Sequence, residues 1–343
     1  RMQRCMRIRR VERNAENRMA NWVSAGCGAI ANELAQAMEK RGQKLYGVVN
    51  RTPEKAVAFA EKYGVQKVFT SFQDVCADPA VDIIYISTPH NTHIHFLRKA
   101  LAAGKHVLCE KAFTATAAQA EHALALAKEK GVLVTEAIWT RYVPMRRMLD
   151  ELLASGAIGT PRVLTANLGY TIYDKERIHR PELAGGALLD VGVYVLNFAA
   201  MVFGTQVERM ESSVRLMDTG VDMQESITLH YPDGRMAELM ATAACNTSRR
   251  CWIYGDQGCA EVDNVNNPRR ITLYANANDP ASVTRVIDAP PQLTGYEYEV
   301  LACLRALETG ALECPEMPHA ETLRIMRWMD TLRHSWDMRY PFE

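Results

Sequence analysis

WVSAGCGAIANELAQAMEK, residues 22–40, decides the fold. Trp22 to Ala25 is short, mostly apolar and read as a buried strand; after it come Gly26, Gly28 and Ala31 in GxGxxA spacing, then apolar residues at helical intervals to Lys40. The two glycines permit a tight turn and let backbone approach a pyrophosphate closely. That anion then sits at the helix N-terminus, where N–H groups and the dipole favour negative charge. Ala31 is small enough for helix to pack on strand. GxGxxA alone often marks only a turn. Between a strand and a helix it reads as a dinucleotide site, with Gly26, Gly28, Ala29 and Ile30 at the cofactor.

Working outward, the same rhythm repeats to about Thr135. LYGVV (45–49), KVF (67–69), DIIYIS (82–87), HVLC (106–109) and VLVT (132–135) are apolar and rich in β-branched residues. Between them, residues 32–40, 53–63, 93–103 and 116–130 show helical spacing. Thr52-Pro53 has the order of an N-cap followed by proline at the first helical position, and Gly64, Gly104 and Gly131 follow helix ends as C-terminal caps do. Strict strand–helix alternation predicts a parallel, doubly wound α/β sheet of Rossmann type.

After Tyr142 the rhythm changes to longer alternating runs, at residues 162–170, 209–217, 225–231, 235–245, 251–255 and 270–276, with PDG at 232–234 as hairpin chemistry. This half reads as an α+β domain with a large open, mainly antiparallel sheet. The most apolar stretch, residues 187–203, carries Asp190 and Asn197 and reads as a buried helix rather than a membrane span. The expected division is a basic extension over 1–18, a nucleotide-binding domain over 19–140, and a substrate and dimerisation domain over 141–343 whose C-terminal helices can pack back on the first.

Composition agrees with a globular, two-domain chain. Its 343 residues are 48% hydrophobic, and 40 Lys+Arg balance 40 Asp+Glu. Zero net charge gives no support to a nucleic-acid or membrane-surface partner. The zero is a sum of unlike parts. Residues 1–18 hold seven Arg and two Glu, which leaves 33 basic against 38 acidic residues in the rest, a net of about −5. The extension lacks the apolar core of a secretory signal, and Met19 reads as a natural start. Nine cysteines are scattered singly without CxxC pairs or Cys/His ligand clusters, which points to a reducing, cytoplasmic setting and to no metal site.

Four further segments carry chemistry. At the end of the second strand an Asp or Glu would bind the adenosine ribose of NAD; this chain has Asn50-Arg51-Thr52. A guanidinium matches a 2′-phosphate in charge and shape, so NADP(H) is expected as preferred cofactor with NAD(H) as the other. Ser87 to His93 (STPHNTH) follows the fourth strand, where loops line the ligand crevice of a parallel sheet; Thr88, Asn91 and His93 are placed there to meet cofactor. Glu110-Lys111 follows the fifth strand, a position from which lysine can transfer protons and glutamate can meet ribose hydroxyls. In GGALLDVGVY (185–194), Asp190 and Tyr194 are four apart on an otherwise apolar helix. Burying a carboxylate and a phenol is costly unless they bond something, so a substrate-facing role is expected, against the plainer alternative of a buried Tyr–Asp hydrogen bond.

Taken in order, GCGAIA, STPHNTH, EKA, EAIWTRYVP (136–144), GGALLDVGVY and GYEYE (295–299) resemble the Gfo/Idh/MocA oxidoreductase family, and within it the dimeric dihydrodiol dehydrogenase and NADP-dependent D-xylose dehydrogenase branch. The resemblance implies that Lys111 is the active-site lysine of the family's EKP motif, with Ala112 in place of the proline. It implies that Tyr194, where the family often has His, is the acid/base. It puts Trp139 and Arg141 beside cofactor and substrate, and makes the second sheet the surface of a homodimer or higher homo-oligomer. A pocket of His93, Trp139, Tyr170, Asp190 and Tyr194 then suits a polyol or sugar ring. The expected activity is NADP(H)-dependent oxidation of a secondary alcohol or hemiacetal of a sugar or cyclic diol, with Lys111, Tyr194 and Asp190 as catalytic residues. An NAD-dependent glycosidase of the same fold and a non-catalytic dinucleotide sensor are the alternatives.

Overall fold

The computed structural model describes residues 20–343. The basic extension over 1–18, the start at Met19 and Cys5 lie outside the described residues. The chain divides into two compact units, one comprising residues up to Ile138 with Gln292–Leu323, the other Trp139–Pro291 with Arg324–Glu343.

The first unit is the parallel sheet expected from the alternation, six strands in the order β3-β2-β1-β4-β5-β6. These are β1 (Trp22–Ala25), β2 (Gly47–Val49), β3 (Lys67–Val68), β4 (Ile83–Ile86), β5 (His106–Glu110) and β6 (Val134–Ala137). β1, β2, β4 and β6 are buried along their whole length, as strands covered on both faces must be, and so is β5 but for His106; β3 closes one edge and is exposed. Between them run α1 (Ala29–Lys40), α2 (Pro53–Tyr63), α3 (Phe72–Ala77), α4 (His90–Ala102) and α5 (Ala117–Lys130). Thr116 caps α5, its side chain accepting the N–H of Gln119, and Gly64 and Gly131 end α2 and α5 in the left-handed conformation. Thr52 stands at the N-cap of α2 with Pro53 behind it, but its side chain makes no capping bond.

The second unit is built on an eight-stranded sheet in the order β14-β13-β12-β11-β7-β10-β9-β8. β7 (Pro161–Gly169) pairs in parallel with β10 (Met236–Thr242); every other neighbouring pair is antiparallel. The remaining strands are β8 (Arg209–Leu216), β9 (Asp222–His230), β11 (Cys251–Gly255), β12 (Gly258–Val262), β13 (Arg270–Tyr274) and β14 (Val283–Asp288). The strict alternation of burial along β11, with Cys251 and Ile253 inside and Trp252 and Tyr254 half-exposed, marks a sheet with one covered face. The cover includes the apolar helix. Of the span Pro181–Phe203, 94% of its most apolar window is buried inside the protein. Its first part is not α-helical: Leu188–Gly192 forms a π turn that runs into an α-helix over Val193–Phe203.

Candidate active site

In the first unit, β1 delivers the chain to Gly26 at φ +119°, a conformation side chains rarely adopt. Two neighbours fix this turn. Gly26 N–H donates to Val49 O at 2.9 Å and Ser87 N–H to Ala25 O at 3.0 Å, so the ends of β1, β2 and β4 are tied together. A Cβ on Gly26 would stand 2.7 Å from Ser87 Oγ, whereas one on Gly28 would have nothing within 4 Å. Gly28, Ala29 and Ile30 are exposed, and no side chain caps the start of α1. The loop therefore offers free N–H groups at a positive helix end with open space before them, which is the shape a pyrophosphate requires. Asn32 braces it from behind: its Nδ2 donates to Gly28 O at 2.9 Å, and its Oδ1 accepts from Tyr63 OH at 2.7 Å and Lys62 Nζ at 2.9 Å.

Arg51 is exposed at the end of β2, and Asn50 turns its amide back to Thr52 O at 3.0 Å. The chain between β2 and α2 carries no carboxylate; the first is Glu54, inside the helix. After β4, Thr92 Oγ1 is 2.8 Å from Thr88 Oγ1 and 2.7 Å from Pro89 O, and Asn91 Oδ1 is buried with no hydrogen-bond partner. An acceptor in that state is a place for a donor from a ligand.

His93, expected to meet cofactor and substrate, is enclosed by backbone. Its ring is fully buried, with Nδ1 2.9 Å from Ala112 O and 3.3 Å from Phe113 O, and Nε2 2.7 Å from Thr88 O. Both ring nitrogens face backbone carbonyls, so no edge remains for a substrate hydroxyl. The ring instead joins the loop after β4 to the loop after β5, immediately beside Lys111. Burial lowers its pKa, the surrounding carbonyls oppose this, and the Lys111 charge adds to the lowering.

Glu110 is buried and accepts from Tyr85 OH at 2.5 Å and from the Lys111 N–H at 3.3 Å. Lys111 is half-buried, and the Lys111–Ala112 peptide is cis. Behind Glu110 lies Glu299, fully buried with neither oxygen hydrogen-bonded, and burial together with the Glu110 charge pushes its pKa well above the usual carboxylate range.

In the second unit, Trp139 is half-buried and opens a short 3-10 turn, while Arg141 is 2% exposed and donates through Nε to Asn197 Oδ1 at 2.6 Å. Asn197 is held in turn by its own bond to Val193 O, so Arg141 is anchored against the core helix. Tyr170 is half-buried; its hydroxyl accepts from Asn266 Nδ2 at 3.1 Å and Arg249 covers its ring. Asp190 and Tyr194 are both buried. Asp190 lies inside the π turn, where a residue four positions on is less than one turn away, so the helical spacing read from sequence is altered at this point. Arg177 pairs with Asp190 at 2.5 Å and is itself nearly half-exposed. Sequence reading had no signal for Arg177, which is brought to Asp190 by the chain before the Gly-Gly turn.

Comparison with known proteins adds a consistent set of similarities. Residues 20–138 match the profile of an oxidoreductase family with an NAD-binding Rossmann fold, and residues 147–261 match the GFO/IDH/MocA C-terminal domain. The trans-1,2-dihydrobenzene-1,2-diol dehydrogenase of Sus scrofa is 34% identical over 331 residues, covering 93% of this chain and 98% of that protein. The Oryctolagus cuniculus protein of the same name is 32% identical over 333 residues, with the same coverage. Among solved structures, aldose-aldose oxidoreductase from Caulobacter crescentus, complexed with glycerol, superposes with a TM-score of 0.81 at 25% identity over 93% of this chain and 97% of that one. A 3-ketoreductase from Actinomadura kijaniata, in complex with NADP and TDP-benzene, shares the fold with a TM-score of 0.81 at 23% identity, over 92% and 98% of the two chains.

Proposed function

Since this chain belongs to the Gfo/Idh/MocA family and is an NAD(P)-dependent oxidoreductase, we propose that it uses NADP(H) and oxidises a secondary alcohol or hemiacetal of a cyclic diol or sugar. The observation that carries this reading is the braced Gly26–Ile30 cradle, open in front of Gly28, on the same unit as Lys111. Two relatives at 34% and 32% identity are named as dihydrodiol dehydrogenases, and a structural neighbour is named for aldoses, which supports the substrate class.

In this reading the first unit binds nucleotide. N–H groups of Gly28, Ala29 and Ile30 would hold the pyrophosphate, and Arg51 would meet the 2′-phosphate that distinguishes NADP from NAD, with no carboxylate beside it to oppose that charge. Thr88 and Asn91 contact the dinucleotide from the loop after β4, Glu110 the ribose hydroxyls. The nicotinamide, when bound, supplies the carbon that accepts the hydride. Lys111 or Tyr194 takes the proton of the reacting hydroxyl as hydride leaves its carbon, so that alcohol becomes carbonyl. His93 and Glu110 hold the Lys111 loop, the first by linking the Ala112 and Phe113 carbonyls to Thr88 O in the loop after β4 and the second through the Lys111 N–H. Asp190 is proposed to orient substrate hydroxyls, and Trp139 and Tyr170 have rings that suit the apolar face of a sugar or diol. Arg141 secures this region through Asn197. The exposed face of the second sheet is the dimer surface. Eight free cysteines among the described residues accord with a cytoplasmic setting.

A dehydrogenase screen of aldoses, inositols, sugar phosphates and dihydrodiols with NADP and NAD in parallel tests the activity. Lys111→Ala is expected to abolish turnover, with NADPH affinity, read by fluorescence titration, near that of the wild type. Retained turnover overturns the role of Lys111.

A further inference from the structure

Two carboxyl groups at the start of β9, Asp222 and Glu225, have no part in the chemistry above, yet they touch both ends of the turn that carries Asp190. They are 0% and 3% exposed. Asp222 Oδ2 accepts the N–H of Leu188, the first residue of the π turn, at 2.5 Å. Among the described residues its Oδ1 and both oxygens of Glu225 have no hydrogen-bond donor.

The glycines of GGALLDVGVY fit around these two groups. Gly186, at φ +112°, is the residue whose Cβ would collide with Asp222 Oδ1, and a Cβ on Gly192 would stand 2.7 Å from Glu225 Oε1. Asp222 thus supports the head of the π turn and Glu225 its tail, with Asp190 between. The other groups around the pair supply no neutralising charge. Opposite Asp222 on β8 is Leu216, and opposite Glu225 are Val214 on β8 and Ala241 on β10. From the C-terminal segment Tyr340 adds only an unfavourable interaction with the Asp222 charge, its hydroxyl being spent on Gly185 O at 2.8 Å. On the turn itself Asp190 has its own partner in Arg177. The Asp222 and Glu225 side chains lie within hydrogen-bonding reach of each other, and two such buried carboxyls cannot both be ionised where the Leu188 N–H is the donor to only one of them.

We propose that Asp222 and Glu225 share one proton and, as an acid pair, fix the pitch of the turn that presents Asp190 to substrate; they are positioning residues for the reaction. Burial moves both groups in the required direction, Asp222 up to about 6 and Glu225 well above the carboxylate range, the latter with the Asp222 charge as a further cause. The sign follows from linkage. An acid whose pKa is raised on folding binds more protons in the folded state, so its stabilisation is complete below the unfolded pKa and is lost as pH rises through the folded value. The stabilisation of the fold, and with it of the seat of Asp190, is therefore complete only below the ordinary carboxylate range, is lost as pH rises from there through about 6 for Asp222, and goes on falling above that for Glu225, whose pKa lies higher.

The positioning role rests on the reading of Asp190 as a substrate ligand; the shared proton does not, and the experiments separate the two. Glu225→Gln replaces the shared proton with a permanent amide N–H directed at Asp222. Thermal melting of the full chain from about pH 5 to about pH 8 is expected to show a smaller fall in Tm for Glu225→Gln than for the wild type. Parallel curves overturn the acid pair without any reference to turnover. In steady-state kinetics the wild-type KM for the diol or sugar is expected to rise over that pH range, and the rise to be absent in Glu225→Gln. A KM with the same pH dependence in both proteins overturns positioning. Asp222→Ala, which leaves the Leu188 N–H without its acceptor, is expected to raise KM about tenfold while NADPH affinity stays within about twofold. An unchanged KM in this variant overturns the role of Asp222. An unchanged KM in Asp190→Asn overturns the substrate role of Asp190 and the positioning that depends on it, and leaves the melting comparison standing.

Discussion

Arg51 and Lys111 are single residues whose placement decides cofactor and chemistry. Arg51 is expected to make charge-assisted hydrogen bonds to a 2′-phosphate, worth roughly 1.5–3 kcal/mol, so Arg51→Ala should lower kcat/KM with NADP by about ten- to a hundredfold and leave kcat/KM with NAD almost unchanged. Steady-state kinetics with both cofactors reads this directly, and an unaltered ratio would return Arg51 to the role of a surface side chain beside a helix start. His93 shows how far residue type can mislead at this scale. A histidine beyond a strand end in a His/Asn-rich loop has the sequence credentials of a ligand-binding group, but its ring is enclosed by three carbonyls from two loops. Which edge of a ring faces solvent is fixed by packing between segments about twenty residues apart, and no local pattern encodes that.

At the scale of elements, the Gly26 and Gly28 turn separates folding from binding. Gly26→Ala places a side chain at φ +119° and against Ser87, and is expected to destabilise the protein by about 1–3 kcal/mol, measured by denaturant unfolding. Gly28→Ala meets no atom within 4 Å and should melt like the wild type, yet its methyl group enters the space a pyrophosphate needs, so NADPH affinity should fall severalfold or more in a binding titration. Equal effects of the two substitutions on stability would contradict the assignment of the cradle. Most of the first unit was legible because its elements are local statements: buried strands read as apolar runs, helices as periodic ones, and Gly64 and Gly131 stand where left-handed caps are required; the six-residue α3 was too short to show a period. In the second unit β12 and β14 escaped notice. GCAEV is too short and small-sided to stand out, and β14 is an exposed edge with no apolar alternation. The π turn was illegible for another reason. The carboxyls packed against its two ends are more than thirty residues away, and only the glycines at 186 and 192 hint at the space they need.

At the scale of the whole molecule the open face of the eight-stranded sheet is the surface assigned to the proposed assembly. Trp252 stacks on Tyr254 with ring centroids 5.9 Å apart and leans on Tyr274, and all three remain half-exposed on a face that also presents Met240. Aromatic and methionine side chains in such a row are the composition of an interface core. Trp252→Glu is expected to convert a dimer to a monomer in sedimentation velocity, and a wild type that sediments as a monomer would remove this face from the proposed assembly. The fold class and the two kinds of sheet were readable from the sequence because alternation and strand length differ so plainly on either side of Tyr142. Use of this face was implied only by family resemblance, since half-exposed aromatics and a covered core strand share the same period of two.

The position of β7 at the centre of that sheet bears on how the chain is made. Its two neighbours are β10, which ends at Thr242, and β11, which ends at Gly255, while β7 itself is complete at Gly169. On a ribosome that emits the chain from its N-terminus, the first unit's six strands are all available before β7 appears, but β7 must then wait with both edges open while some seventy further residues are synthesised. For that interval an apolar strand has no hydrogen-bonding partner of its own, which makes the second half of translation the period in which this enzyme is most dependent on chaperones.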